Sequence, residues 1–413
     1  MPIPDLTRAR LHGLARNPAL PVEALLRLAA DDRLDIEDLT TFPAAPGRRG
    51  FTDAAFDALA AHPDPQLREA LARSSGATGA QRARLVGDLS IAVLHAVIEG
   101  PADRWADPLP TWAYRRLADH PEPVVRDMLT YLPGTPRDVI VALARDPHPR
   151  IADAARALLR HTPAQPATMG RDQAVSFAES TSPWNRAQAA ADPELPAAWV
   201  GVLATDPEPQ VRLAVSMRPG LTEEQRAAIP VEIGPELPVP AWVLAAGPDE
   251  LRRCARSAHI GLRRSAACHP ELPADLIAAL AADTDPTVRL LLCEHQPAAP
   301  PDLLLRTHLE SDDDDLLRHP TFPCTGLARL ASSPEPRARA LARYDDAAPA
   351  PLIDQLSHDP DPAVRAAVAD DPRLPERRIL ELLDDPATAT PAAANPQLPR
   401  PAMTALLTAA GVP

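Results

Sequence analysis

The sequence has no lysine; all 42 of its basic residues are arginine, which codon bias explains as readily as function does. Aromatic residues make up only 3% of the 413, so any core must be built from Leu, Ala, Val and Ile. Four cysteines, Cys254, Cys268, Cys293 and Cys324, are too few for a disulfide scaffold and suit a reducing compartment, so a cytoplasmic location is expected. No apolar run approaches the ~18–20 residues of a membrane span, and the opening "MPIPDLTRARLHGLARNP" has no apolar signal region. Positive charge is also short. The net charge of −14 is opposite to that of most nucleic-acid binders and does not favour anionic membrane surfaces. GxSxG, P-loop and GxGxxG motifs are all missing, and no His/Asp/Ser constellation stands out. No catalytic residue and no cofactor is therefore predicted. Glycine is scarce at 16 residues, whereas proline is abundant at 52.

The prolines fall into two recurring phrases. One is "HPDPQLREAL" from His62, "HPEPVVRDML" from His120, "DPEPQVRLAV" from Asp206, "DTDPTVRLLL" from Asp283, "SPEPRARALA" from Ser333 and "DPDPAVRAAV" from Asp359. The other is "NPALPVEALLRLA" from Asn17, "DPELPAAWVGVLA" from Asp192, "HPELPADLIAALA" from His269, "DPRLPERRILELL" from Asp371 and "NPQLPRPAMTALL" from Asn395. Arg186 to Arg212, Arg263 to Arg289 and Arg339 to Arg365 are each 26 apart. A period of this length belongs to solenoids.

Each unit is expected to hold two short helices. Proline is harmless in the first turn of a helix, where N–H groups have no intrahelical partner, and it drives the preceding residue out of the α region. Asp361 is thus predicted as an N-cap with Pro362 at the first helical position, and a second helix is predicted to start at Pro375 with Glu376 in its first turn. The Pro362 helix, ending near Ala369, spans some two turns. Isolated helices this short are marginal in water, so neighbours must hold them. Val364, Ala367 and Val368 in one helix, and Ile379, Leu380, Leu382 and Leu383 in the other, form the buried stripes. No period-two alternation is present, so almost no strand is expected. Stacked units would grow as an elongated coil.

The pattern "NPxLPxxLLxxLAxDPxPxVRxAVA" resembles the leucine-rich repeat variant family, with a secondary resemblance to HEAT-like repeats. The resemblance covers most of the chain. It implies an all-α fold, a right-handed solenoid of ~25-residue two-helix repeats in which one helix is partly 3-10. Some members carry a cysteine-rich iron–sulfur segment near the N-terminus; here no cysteine precedes Cys254, so that feature is not carried over.

Four stretches interrupt the pattern: 31–50, 74–109, 162–183 and 227–247. The second contains "AQRARLVGDLSIAVLHAVIEG", which reads as one longer helix. The Pro-rich stretch 227–248 is taken as a break or hinge between an N-terminal half, 1–226, and a C-terminal half, 249–413. Simple repeat decay explains all four. Insertions in a solenoid also map to one face, sometimes the binding face.

Four sets of residues carry candidate chemistry. Arg68, Arg126, Arg212, Arg289, Arg339 and Arg365 each follow a cap proline by three. Such a column either reads anionic groups on a partner, with Arg126 and Arg212 as candidates, or ties each unit to its neighbour. The second reading is preferred, since a residue present in every unit serves the unit's own packing. Cys268 and Cys293 with His295 fall at nearly equivalent places in successive units, and with Cys254 they are candidate ligands for zinc or an iron–sulfur centre. No CxxC or HxxxH pair is present, and buried thiols are the preferred reading. The carboxylates Asp312 to Asp315 lack EF-hand spacing and are taken as a solvated cap region. Among the tryptophans, Trp199 sits where a helix is normally buried, whereas Trp105, Trp112 and Trp184 lie in or beside irregular stretches and are candidates for binding.

The resulting expectation is a non-catalytic scaffold that binds protein or peptide on a concave solenoid face, with a basic peptide as the sharper form of that expectation. The alternatives are a HEAT-like glycosylase, with Trp112 and Asp119 or Trp184 and Asp192 at the extruded base, and a metal or redox protein using the Cys–His stretch 254–324.

Overall fold

The structure, a computed structural model, describes residues 6–46, 50–132, 134–160, 168–234, 239–311 and 314–412. Among them the regular elements are all α-helices with a few 3-10 turns, and none is a strand. None of these helices is long and apolar enough to cross a membrane. The chain forms two compact units, one made of residues 1–160 and 312–413, the other of 161–311. The stretch 227–248 lies inside the second unit.

Proline starts the helices in two distinct ways. In Pro65–Arg73, Pro123–Met128, Pro209–Ser216, Pro286–His295 and Pro362–Val368 it is the first helical residue. Asp361 caps the last of these, its carboxylate accepting from the Ala363 N–H at 2.8 Å. The other helix of each unit begins one residue later than predicted. Pro375 is the N-cap of Glu376–Leu382, with φ −69° and ψ 145°. Pro21, Pro136, Pro196 and Pro273 do the same before Val22–Ala29, Arg137–Leu143, Ala197–Leu203 and Ala274–Ala281. The proline φ fits the extended N-cap conformation, and its carbonyl accepts the first helical bonds, from Arg378 and Ile379 in the case of Pro375. The two kinds of helix are called cap-started (Pro375 type) and proline-started (Pro362 type) below.

Burial follows the predicted stripes in part: Leu380 is exposed and Ala367 only half-buried, lining a groove on the outside of its helix. Val364, Val368 and Ile379 are fully buried, and Leu382 nearly so. Each such side chain stabilises the fold by about 1.5–3 kcal/mol, which offsets the weakness of two-turn helices. The stretch 79–99 is not one helix. It divides into Gly79–Arg82, a 3-10 turn Ala83–Leu85, and Ile91–Glu99. The cause is Asp88. Its carboxylate accepts from the Ser90 N–H at 2.8 Å and from Arg68 at 2.7 Å, as the Asp of a DPxP phrase does elsewhere. The repeat therefore persists here without its prolines.

The first unit does not end in a free helix. Leu6–Ala15 packs against Ala389–Ala393 and Arg400–Ala409. The Asn17 amide donates to the carbonyls of Ala393 and Asn395 at 2.8 and 2.7 Å. Asn395 donates in the same register to Ala369 and Asp371, at 2.9 and 2.8 Å. Leu6–Ala15 thus occupies the place of the proline-started helix that follows Ala389–Ala393. Arg400–Ala409 is its cap-started companion, so one two-helix unit is assembled from opposite ends of the sequence. The buried apolar core of this unit accordingly includes both Leu11 and Leu14 and Met403 and Leu407. An open-ended row of helices, as expected from the repeat, does not describe this body.

Candidate functional site

The arginine column is the most regular polar feature. Arg126 Nη1 donates to the carbonyls of His120 and Pro121 at 2.7 and 2.9 Å. Its Nε and Nη2 donate to both oxygens of Asp146 at 2.7 and 3.1 Å. The same set recurs for Arg68 with Asp88, Arg186 with Asp206, Arg263 with Asp283, and Arg339 with Asp359. Arg289 uses Glu310, Arg365 uses Asp385, and Arg212 uses the Pro230 carbonyl at 2.8 Å. Each of the aspartates also caps its own turn, as where the His148 N–H donates to Asp146 at 2.8 Å. The guanidinium forks are thereby spent inside the protein. Arg126 presents no free fork to a partner, and Arg212 keeps only its Nη2 uncommitted among the described residues.

A second ladder lies deeper. Besides Asn17 and Asn395, Gln296 donates to the Ala267 and His269 carbonyls, and Arg218 to those of Ala190 and Asp192. All four satisfy carbonyls at the end of the preceding proline-started helix, which have no intrahelical donor. Histidines join the turns in the same structural role. His62, His120 and His269 accept through Nδ1 from the N–H two residues on.

The cysteines and His295 are not brought together. Among the described residues no three His, Cys, Asp or Glu side chains converge in a way that could hold a metal ion. The Cys293 thiol donates to Thr307 Oγ1 at 3.7 Å, that of Cys268 to the Arg264 carbonyl at 3.4 Å, and His295 Nδ1 lies 2.9 Å from the Leu291 carbonyl. Burial pushes the Cys254 and Cys293 thiols up to about 11. At pH 8 only about one part in a thousand of each would then be thiolate. Thiol titration of the native protein at pH 8 is expected to modify the half-buried Cys324 first, with Cys254, Cys268 and Cys293 reacting only on unfolding; rapid modification of all four would contradict this burial. Of the clustered carboxylates, Asp312 and Asp313 lie outside the described residues. Asp314 pairs with Arg337 at 2.8 Å.

The tryptophans separate clearly. Trp105 packs edge-on against His319, ring centroids 4.3 Å apart. Trp199 is half-buried against the core of the second unit. Trp112 is 53% exposed near the start of Thr111–Ala118, a cap-started helix. Asp119 lies at the other end of that helix, about 10 Å away along its axis, too far to serve one base with Trp112. Asp192 is buried, and its carboxylate accepts from the Met169 and Glu194 N–H groups at 2.6 and 2.8 Å.

Trp184 is 63% exposed on Pro183–Ala191. It shares one face of that helix with Ala187, Gln188 and Ala191, one and two turns on. These three line a groove of about 530 Å³ with Leu213, Ala214 and Met217 of the next proline-started helix and its end. Trp242 closes the groove, held by an Nε1–H bond to the Met217 carbonyl at 3.0 Å. Sequence reasoning passed over Trp242. The signal was its place in a proline-rich interruption, which was taken for a hinge.

No family model matches the chain, and no curated protein does. The groove must therefore be weighed on its own chemistry. It is apolar, open along one side and lined mostly by groups with no acid–base or nucleophilic capacity. An equivalent groove of about 660 Å³ lies in the first unit. There Ala366, Ala367 and Asp370 stand where Ala187, Gln188 and Ala191 stand, one residue, two and five after the column arginine. Pro372 corresponds to Pro193. The shared geometry traces to the repeat: small residues on the outer face of a two-turn helix, followed by a capping residue and a proline.

Proposed function

We propose that the protein is a non-catalytic binding scaffold of the leucine-rich repeat variant kind. Its two-helix units stack as an α-solenoid, and the outer face of its proline-started helices takes an extended protein segment. What supports this is the recurrence of an apolar, proline-bordered groove at matching positions in both units. Repeat stacking builds such surfaces, and exposed tryptophan beside a small-residue groove is the composition of a binding hot spot. The net charge of −14 adds a preference for basic residues flanking the bound segment, at sites away from the grooves.

The test is selection of peptides from a displayed random library against the purified protein. Peptides that enrich are expected to lose at least tenfold in affinity on Trp242→Ala or Trp184→Ala and to keep it on Trp112→Ala, which lies on a cap-started helix. Their basic flanks should make binding weaken between 50 and 500 mM salt. Enrichment insensitive to both Trp242 and the neighbouring Trp184 would remove this face as the binding surface.

A further inference from the structure

The groove in the first unit holds an arginine that the rest of the chain does not explain. Arg16 lines it together with Phe42, Tyr344, Pro372, Pro391 and Pro396. Its Nε is buried without a hydrogen-bond partner, and its guanidinium makes no hydrogen bond or ion pair among the described residues. The acid that attracts it, Asp38, is occupied by Arg8 at 2.9 Å and by the Asp35 N–H at 3.1 Å and makes no bond to Arg16. Burial pulls the Arg16 guanidinium below its usual range.

Other buried arginines in this chain are supplied with acceptors. Arg126 has Asp146, Arg218 the Ala190 and Asp192 carbonyls, Arg226 the Ser216 and Arg218 carbonyls, and Arg264 Asp285. Arg343, also in the groove, is paired with Asp370 and lies over the Tyr344 ring. At positions equivalent to Arg16 other units carry Ala191, Met217, Asp370 and Ala394, so packing of the repeat does not require a cation there. A partly desolvated charge without a partner costs free energy unless something binds it. With Arg16 and Arg343 against Asp370, the groove is locally positive inside an acidic protein.

We infer that this groove binds an extended apolar peptide segment bearing a carboxylate, which Arg16 receives as a bidentate anchor. The groove runs from Ala366 and Ala367 of Pro362–Val368, past Thr390 and Pro391 of Ala389–Ala393, to Arg16, which follows the end of Leu6–Ala15. At the usual 8–10 Å between packed helices, that is a run of about 18 Å, or some five to six extended residues. A peptide's main chain fills such a length, while its apolar side chains meet the prolines, Phe42 and Tyr344. The planar guanidinium matches a carboxylate with two parallel hydrogen bonds. This rests on the peptide-binding reading above and adds the charge of the ligand.

The probe is a pool of acetylated hexapeptides randomised over Leu, Val, Ala and Pro, ended either as free acid or as amide and read by affinity-selection mass spectrometry. The wild-type protein is expected to retain the acid forms at least tenfold over the amides. Arg16→Met, which keeps the apolar stem, should abolish that preference, and Arg16→Lys should keep part of it. Arg16→Met should also melt at the same temperature or higher, because it removes an unpaired, half-buried charge; a clear drop would mean that Arg16 serves the fold and would overturn the inference. Equal retention of acids and amides would overturn the anionic anchor and leave the groove reading standing. An acid preference that follows Trp242→Ala instead of Arg16→Met would place the ligand in the other groove and equally overturn it.

Discussion

Replacing Gly13 by alanine is expected to destabilise the first unit by about 2–3 kcal/mol, the range of an overpacked contact that backbone must relieve. Gly13 lies on Leu6–Ala15 where that helix crosses Ala389–Ala393. A Cβ at this position would overlap the Thr390 carbonyl oxygen and stand 2.7 Å from the Ala393 Cβ. Neither group is a flexible side-chain end, so the helices must separate. Separation strains the bonds that fix their register: Thr390 Oγ1 to the Ala9 carbonyl at 3.0 Å, Arg10 Nε to the Leu383 carbonyl at 3.0 Å, and the two from Asn17. Glycine in a helix interior costs up to ~1 kcal/mol in backbone freedom relative to alanine, so on propensity alone the substitution would stabilise. The sign of the change therefore decides between contact and propensity. Urea denaturation followed by circular dichroism is the measurement. An unchanged or higher midpoint would mean that Leu6–Ala15 does not close against the C-terminal helices. Asn17→Ala should act in the same direction, because it leaves the Ala393 and Asn395 carbonyls buried without a donor.

Much of this architecture was legible because proline is a rigid signal. Its fixed φ and missing N–H admit few positions, so the helix starts at Pro362 and Pro375 were placed to within one residue. The one-residue difference at Pro375 has a physical basis: N-cap and first-turn positions share a φ near −65°, and sequence does not distinguish them. Asp88 shows the opposite case. Its side chain makes the same turn and the same bond to Arg68 as the acids of the proline phrases, yet without prolines the stretch read as one helix. The joining of the two ends was invisible for a different reason. "NPALP" at Asn17 and "NPQLP" at Asn395 are ordinary members of one phrase, and nothing in either says that they stack on each other. The groove was hidden because its lining is alanine and proline, which carry no chemical signature. Only the tryptophans stand out, and Trp242, inside the proline-rich stretch 227–248, is not among the candidates.

The arginine ladder sets the second large effect. Asp146→Ala should cost about 3–5 kcal/mol, the range seen when one partner of a buried pair is removed. The side chains of Arg126 and Asp146 are only 10% and 3% exposed. The loss has two parts, since Asp146 also accepts from the His148 N–H and so holds the turn that starts Pro149–Arg160. Pairing Asp146→Leu with Arg126→Met should recover much of the stability, because the uncompensated charge disappears with its partner. The same carboxylates make stability depend on acid. The Arg126 guanidinium holds the Asp146 carboxyl below its ordinary range, and Arg186 and Arg339 do the same for Asp206 and Asp359. A depressed folded-state value means that the unfolded chain binds protons first. The contribution is then complete above the ordinary carboxylate range, near pH 4, and drains away as the pH falls through the lower folded values. Wild-type melting temperatures should be level with respect to these groups from pH 5 to 8 and fall steeply below pH 4. Asp146→Ala should start lower at pH 7 and lose less on going to pH 3. Parallel pH profiles for the two proteins would show that the pair does not couple protonation to folding, and the ladder would reduce to hydrogen bonds between one arginine and the carbonyls of its own turn.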